Sequence, residues 1–188
     1  MPNWCENSLL ITSKDKSKIE ELYKVFVVDS GEKGIFERFI PTPPELLSND
    51  GLHKIENVED LKKLYGSADW YSWRVSNWGT KWDITDIYGN HDAIVEHGDY
   101  WYFICSFDSA WAPPENGIAA LSGIYKGCYF YLSFQEPGMG FMGYYSAMNG
   151  EELESETVNM IPSTEDVENC LEFYAQCLDD DEESSENV

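Results

Sequence analysis

A chain of 188 residues with 12 basic and 35 acidic side chains carries a formal charge of −23, a field that repels duplex DNA, RNA and anionic membranes at long range. A chain of this length forms one main domain that buries roughly 70% of the surface its unfolded form exposes, so neither a disulfide nor a metal is needed to hold it together. The charge is uneven: residues 1–150 hold 12 basic and 21 acidic side chains, and residues 151–188 hold 14 acidic ones and no base.

That layout favours basic partners, and it equally suits a chain that only needs solubility. Cys5, Cys105, Cys128, Cys170 and Cys177 make an odd count without a C-x-x-C pair, which predicts reduced, mostly buried thiols in a cytoplasmic protein. The stretch Met1 to Trp4 has no basic region, which predicts no signal peptide, and no apolar run reaches membrane-spanning length.

Asn3 to Thr12 has the β-branched and aromatic content of a first strand. Helix 1 follows, capped by Ser13 or Asp15, with Ile19, Leu22, Tyr23 and Phe26 on one stripe and Asp29 to Gly31 as its stop. Residues 32–68 read as an insertion, because Pro41, Pro43 and Pro44 exclude a central strand or a helix interior. Phe36, Phe39 and Ile40 are expected to pack this surface excursion on the core, and Val58 to Tyr65 is expected to be a short helix. From Asp69 to Pro114 runs the stretch around which the chain is organised, with six of the seven tryptophans. Asp69 can cap a helix there, Gly79 can end it with a positive φ, and Thr80 to Tyr88 alternates as a strand.

Ala93 to Val95 reads as a minor strand. Tyr100 to Phe107 is so apolar that a central strand covered on both faces is expected. Pro113 and Pro114 suit the first turn of a helix carrying Ile118, Leu121 and Tyr125, which Gly127 stops. Strands at Cys128 to Phe134 and Phe141 to Ala147 follow, and Asn149-Gly150 predicts a tight hairpin into Glu151 to Met160. Beyond Pro162, an acidic helix with Val167, Leu171, Tyr174 and Leu178 on one line is expected, then a disordered tail from Asp179. The order predicts an α+β sandwich: a split β-α-β antiparallel sheet in residues 1–160 with helices on one face, an insertion after helix 1, extra C-terminal strands, and an acidic appendage over 161–188.

Five segments in this order resemble the YubB ferredoxin-like domain family of small plasmid and phage proteins: Met1 to Asn7, Phe39 to Pro43, Asn77 to Asp83, Phe107 to Pro114 and Glu136 to Phe141. The resemblance covers most of residues 1–147 and implies ferredoxin-like topology, with no iron–sulfur cluster and no established activity. It also implies a bacterial host and a mobile genetic element.

Three candidate sites stand out. Trp78, Trp82 and Trp111 beside Arg74 and Lys81 form a Trp-rich pocket for a nucleotide-type ligand if these motifs converge, or else pack the insertion on the sheet. Asp83, Asp108 and Glu136 are types that a small hydrolase or a metal site uses, or else acids that cap helices and pair with a base such as Lys81. His91-Asp92 and Glu96-His97 lack the spacing of a structural metal site, and Cys170 and Cys177 fall on one helix face as packing groups. No cofactor or catalytic residue is assigned. The favoured expectation is a non-catalytic protein that inhibits a host defence or nucleic-acid-handling protein by docking its acidic surface on a basic one. A nucleotide held in the tryptophan pocket and a carboxylate hydrolase are the alternatives.

Overall fold

A computed structural model describes residues 3–29, 34–47, 58–88 and 93–160. By its internal contacts the chain divides into residues 1–158 and 159–188. The expected acidic helix and tail after residue 160, with Cys170 and Cys177, lie outside the described residues, as do His91 and Asp92. No helix among the described residues is long and apolar enough to cross a membrane.

The first strand, β1 (Trp4–Ser13), buries every second side chain: Cys5, Asn7, Leu9, Ile11 and Ser13. It is central, pairing antiparallel with β4 (Tyr100–Ala110) on one side and β5 (Cys128–Glu136) on the other. Helix α6 (Glu115–Ile124) connects β4 to β5, so β1 lies between two parallel strands joined by a crossover helix. This is the ferredoxin-like split β-α-β arrangement. Short strands β2 (Ile87–Tyr88) and β3 (Val95–His97) pair with β4 on its outer side, while β6 (Phe141–Met148) and β7 (Glu151–Asn159) extend the sheet beyond β5. The hairpin between β6 and β7 turns on Asn149 and Gly150 at φ 59° and 91°, the paired positive values of a tight two-residue turn.

Helix α1 (Lys16–Tyr23) begins where the Asp15 carboxylate accepts the Ser17 N–H, and one turn of π-helix from Lys24 to Val28 continues it. Ile19, Leu22 and Phe26 are fully buried in the core with Leu9, Phe103, Phe107, Phe130 and Leu132. Burying a single large aliphatic or aromatic side chain is worth about 1.5–3 kcal/mol, so this one face supplies most of the driving force.

Three expectations need correction. Strand β4 is covered on one face only, since Phe103, Cys105, Phe107 and Ser109 are buried whereas Ile104 and Asp108 between them are exposed. Its apolar run mixes core residues with Tyr102 and Ile104 on the open face, where neighbouring strands give partial cover. The segment Thr80 to Tyr88 forms a strand only at its last two residues. Its remaining polar groups are used elsewhere: Thr80 Oγ1 bonds both the Ala110 carbonyl and its N–H, and the Ile84 carbonyl accepts the Ile35 N–H. Finally, the insertion packs on the core through Phe36, Phe39 and Ile40 as expected, but its residues 34–47 are not confined to the surface. Its helices α2 (Ile35–Phe39) and α3 (Pro44–Leu47) send fully buried Ile35, Phe36 and Leu46 into the core, with Phe39 and Ile40 half-buried, and α4 (Val58–Tyr65) follows.

Helix α2 has only five residues and no capping side chain of its own. Asp83 supplies the cap from across the chain, accepting the N–H groups of Phe36 at 2.8 Å, Glu37 at 2.7 Å and its neighbour Ile84 at 2.7 Å. Gly34 permits this approach, because a Cβ there would lie 2.1 Å from the carboxylate.

Two consequences can be measured. A Cβ at Gly117 would sit 2.4 Å from the Phe36 ring, which is fully buried against Trp78 and has nowhere to swing. Gly117→Ala therefore lowers stability by about 1–3 kcal/mol, read as a lower urea midpoint at unchanged slope. Burial raises the Asp83 carboxyl above its ordinary 3.8 in spite of its three backbone donors. The folded state then holds the proton to higher pH than the unfolded one, so the stability from this group is complete below the unfolded value and declines as pH rises through the raised pKa. Asp83→Asn lowers stability by about 1 kcal/mol through the weakened cap and abolishes that decline in urea midpoints as pH rises above the ordinary carboxylate range.

Candidate functional site

The tryptophan stretch divides into a core half and a surface half. Helix α5 (Trp70–Trp78) starts on Asp69, whose carboxylate accepts the Ser72 N–H, and stops at Gly79 with φ 85°. It buries Trp73 and Trp78. Trp78 packs on Phe36 at 5.7 Å and donates its indole N–H to the Ile40 carbonyl, so its ring is closed to any ligand. Arg74 lies over the Trp78 and Trp70 rings at 4.5 and 5.2 Å. Its Nε donates to Thr42 Oγ1 and its Nη2 meets Glu37 Oε2 at 3.4 Å, while Glu37 accepts both the N–H and the hydroxyl of Thr42. The guanidinium thus bolts the insertion to α5 and is satisfied from within. Trp78 and Arg74 therefore belong to the packing of the insertion and not to an open pocket.

Lys81, Trp82 and Trp111 lie at the surface half. The Lys81 ammonium rests 5.1 Å over the Trp82 ring and 5.7 Å over the Tyr71 ring. Trp82 is 37% exposed and tilts against Trp4, 46% exposed, with ring centroids 5.7 Å apart. Trp111 is 45% exposed at φ 74°, a backbone value that L residues rarely adopt, and its N–H donates to the Asn3 carbonyl next to Trp4.

Of the three acids considered for a carboxylate hydrolase, Asp83 is the α2 cap, and Asp108 and Glu136 are on opposite faces of the sheet. Asp108 is exposed opposite Glu6 on the open face, and Gln135 is the β5 residue in register with Glu6. The next residue, Glu136, therefore points to the helix side, where it is buried and fastens the following turn by accepting the N–H groups of Gly138 and Met139. No acid–base pair is built from them.

Sequence reasoning missed the open sheet face itself. Two adjoining cavities lie on it. One, of about 390 Å³, has Trp4 and Trp82 as aromatic walls, Ser109 and Ala110 as part of its floor, and the carboxylates of Asp83, Asp86 and Asp108. The other, of about 330 Å³, includes Glu6, Ser106, Ser133, Gln135 and Met142. Tyr88 lines both, and its hydroxyl donates to Asp108. Burial, and after it this hydrogen bond, pushes the phenol well above its ordinary value, so Tyr88 stays a donor across the physiological range. Gln135 donates to Glu6 at 2.6 Å. Among the described residues, no Lys, Arg or His lines either cavity. Asp83 is engaged as the α2 cap, whereas among the described residues Asp86 and Asp108 form no ion pair. Farther along the same face Tyr131 and Tyr144 stack at 5.8 Å. The signal for this face was the alternation in β1, where Trp4, Glu6 and Ser8 interleave with the buried row.

Among the described residues, the cysteines offer no activated nucleophile. Burial pushes the Cys5 and Cys105 thiols up to about 12 and raises Cys128 as well.

Residues 90–175, somewhat under half of the chain, match a family model described as the ferredoxin-like domain in Api92-like protein. The curated proteins contain no match to this chain. Among solved structures, the crystal structure of the protein Api92 from Yersinia pseudotuberculosis aligns over 87% of this chain and all of its own, at 13% identity and a TM-score of 0.41. The matched domain description agrees with the ferredoxin-like topology of β4, α6 and β5 around β1, so the chain is an α+β protein of ferredoxin-like fold.

Proposed function

We propose that this protein is a non-catalytic binding module whose acidic surface docks on a basic partner protein. The observation that carries the reading is the groove on the open sheet face, lined by aromatic rings and carboxylates and by no base, in a chain of charge −23. Exposed tryptophan and tyrosine supply contact area at small entropic cost, and complementary charge supplies steering and rejection of wrong partners.

The edge of the sheet agrees with this reading. Strand β7 is exposed along its whole length and carries Glu151, Glu152, Glu154 and Glu156, which discourage strand-to-strand aggregation while adding to the negative field. The finer form of the proposal is an inhibitor, encoded on a mobile element of the YubB kind, of a host defence or nucleic-acid-handling protein. Its support is the motif resemblance together with the fact that proteins which neutralise nucleic-acid phosphates carry basic grooves complementary in charge to such a surface. A nucleotide in the tryptophan pocket is the weaker reading, because Trp78 is buried, Arg74 is engaged by Glu37, and the carboxylates beside Trp82 repel phosphate.

The test is affinity capture from bacterial lysate with three proteins: the full chain, the chain truncated after Met160, and the full chain carrying Asp86→Asn and Asp108→Asn. The expected result is one basic protein, held at low salt and released at high salt, with affinity for the double variant down about tenfold or more. Capture that ignores salt, the truncation and the double variant alike overturns the charge mechanism.

A further inference from the structure

We infer that the cleft walled by Trp4 and Trp82 is the anchor point of that docking face and takes an arginine side chain of the partner. This deepens the proposed function and rests on it. The cleft combines two recognition elements that separately favour a cation. Its walls include two indole rings, a residue type that attracts cations, and its carboxylates Asp86 and Asp108, held only by the neutral hydroxyls of Thr85 and Tyr88, form no ion pair among the described residues. The protein already shows the affinity of the first element, since Lys81 places its ammonium 5.1 Å over the Trp82 ring from outside the lining.

A guanidinium suits the site better than an ammonium. It is planar and weakly hydrated, it lies flat on an aromatic face, and its fork of N–H donors meets a carboxylate with two bonds. Asp108 is the carboxylate best placed to accept them. It stands in register with Glu6 on the open face, and the Tyr88 hydroxyl holds it while occupying only part of its accepting capacity. The contiguous second cavity, reached past Tyr88 and ending at Glu6, Gln135 and Met142, gives the flanking residues of an extended basic segment a place to continue. Charge complementarity thus selects one occupant: a segment of the partner chain containing arginine.

The experiment uses the full-length protein with ¹⁵N-labelled indoles at low salt, titrated with an acetylated, amidated arginine–glycine peptide. The same peptide with citrulline, and one with lysine, serve as controls. The expected result is saturable movement of the Trp4 and Trp82 indole signals. Asp86→Asn with Asp108→Asn weakens binding at least tenfold while the indole signals of buried Trp73 and Trp78 stay in place, the citrulline peptide produces no movement, and the lysine peptide binds several-fold more weakly. Tyr88→Phe reduces affinity by a smaller factor. A citrulline peptide that binds equally overturns the cation assignment, and a lysine peptide that binds as tightly overturns the guanidinium assignment. Arginine-peptide shifts confined to β7 amides, with Trp4 and Trp82 unmoved, overturn the cleft and leave the acidic-surface reading standing. Absence of any shift overturns both.

Discussion

Among the described residues, the helices that pack on the central strands do so from one side, and both the stability of the sheet and the proposed function depend on this asymmetry. In β1 the row from Cys5 to Ser13 is buried on the side of the core that α1 and α6 also line, while Trp4, Glu6 and Ser8 in the alternate row face outward. A one-residue slip of β1 between β4 and β5 would put Glu6 and Ser8 into the core and Leu9 and Ile11 into water, so register is fixed by burial alone. Asn7 and Ser13 are the polar members of the buried row: Ser13 donates to the Gly127 carbonyl, and the Asn7 amide meets the Cys5 and Phe107 carbonyls and Ser109 Oγ. That network ties the start of β1 to the end of β4, which is where the aromatic cleft opens.

An open antiparallel face carrying aromatic rings is also a platform on which single-stranded bases can stack, and Tyr131 over Tyr144 has the geometry for it. Electrostatics decides between the two uses. Stacking on one ring is worth about 1–3 kcal/mol, but each bound nucleotide brings a phosphate, and the cavities offer it Glu6, Asp86 and Asp108 with no cation. The same rings beside the same carboxylates reward a positively charged visitor twice.

Much of the fold was legible in the sequence because its signals are local. Asp69 and Gly79 mark the ends of α5, Asn149-Gly150 marks the hairpin, and the apolar spacing of Ile19, Leu22 and Phe26 marks the buried side of the first helix. What was not legible depends on long-range partners. Nothing adjacent to Asp83 reveals that it caps a helix 47 residues earlier in the chain, and this use of its carboxylate is what keeps Thr80 to Asp86 out of the sheet. The apolar run of β4 misled because β-propensity and burial draw on the same residue types, so Tyr102 and Ile104 look like core in a list of residues and lie on the open face in three dimensions. The site was legible in part. Trp82, Lys81 and Asp108 were recognised, but Trp4, Asp86 and Tyr88 join them only through the pairing of β1 and β2 with β4.

The loop from Gly79 to Asp86 links these two findings. At one end Thr80 pins it to Ala110, and in its middle Asp83 pins it to α2. Trp82 and Asp86 stand on either side of that second pin, so the wall and one carboxylate of the cleft take their positions from the packing of the insertion. Helix α2 is in turn held by Phe36 under Gly117 and by Glu37 against Arg74. An insertion that looks dispensable to a ferredoxin-like sheet is therefore the scaffold of the cleft proposed as its recognition surface. A cleft built this way is pre-organised: its rings and carboxylates are fixed before a partner arrives, and less ordering entropy is lost on binding than if the loop were free. The buried tryptophans, Trp73 and Trp78, support the cleft indirectly by anchoring the helix that ends where this loop begins.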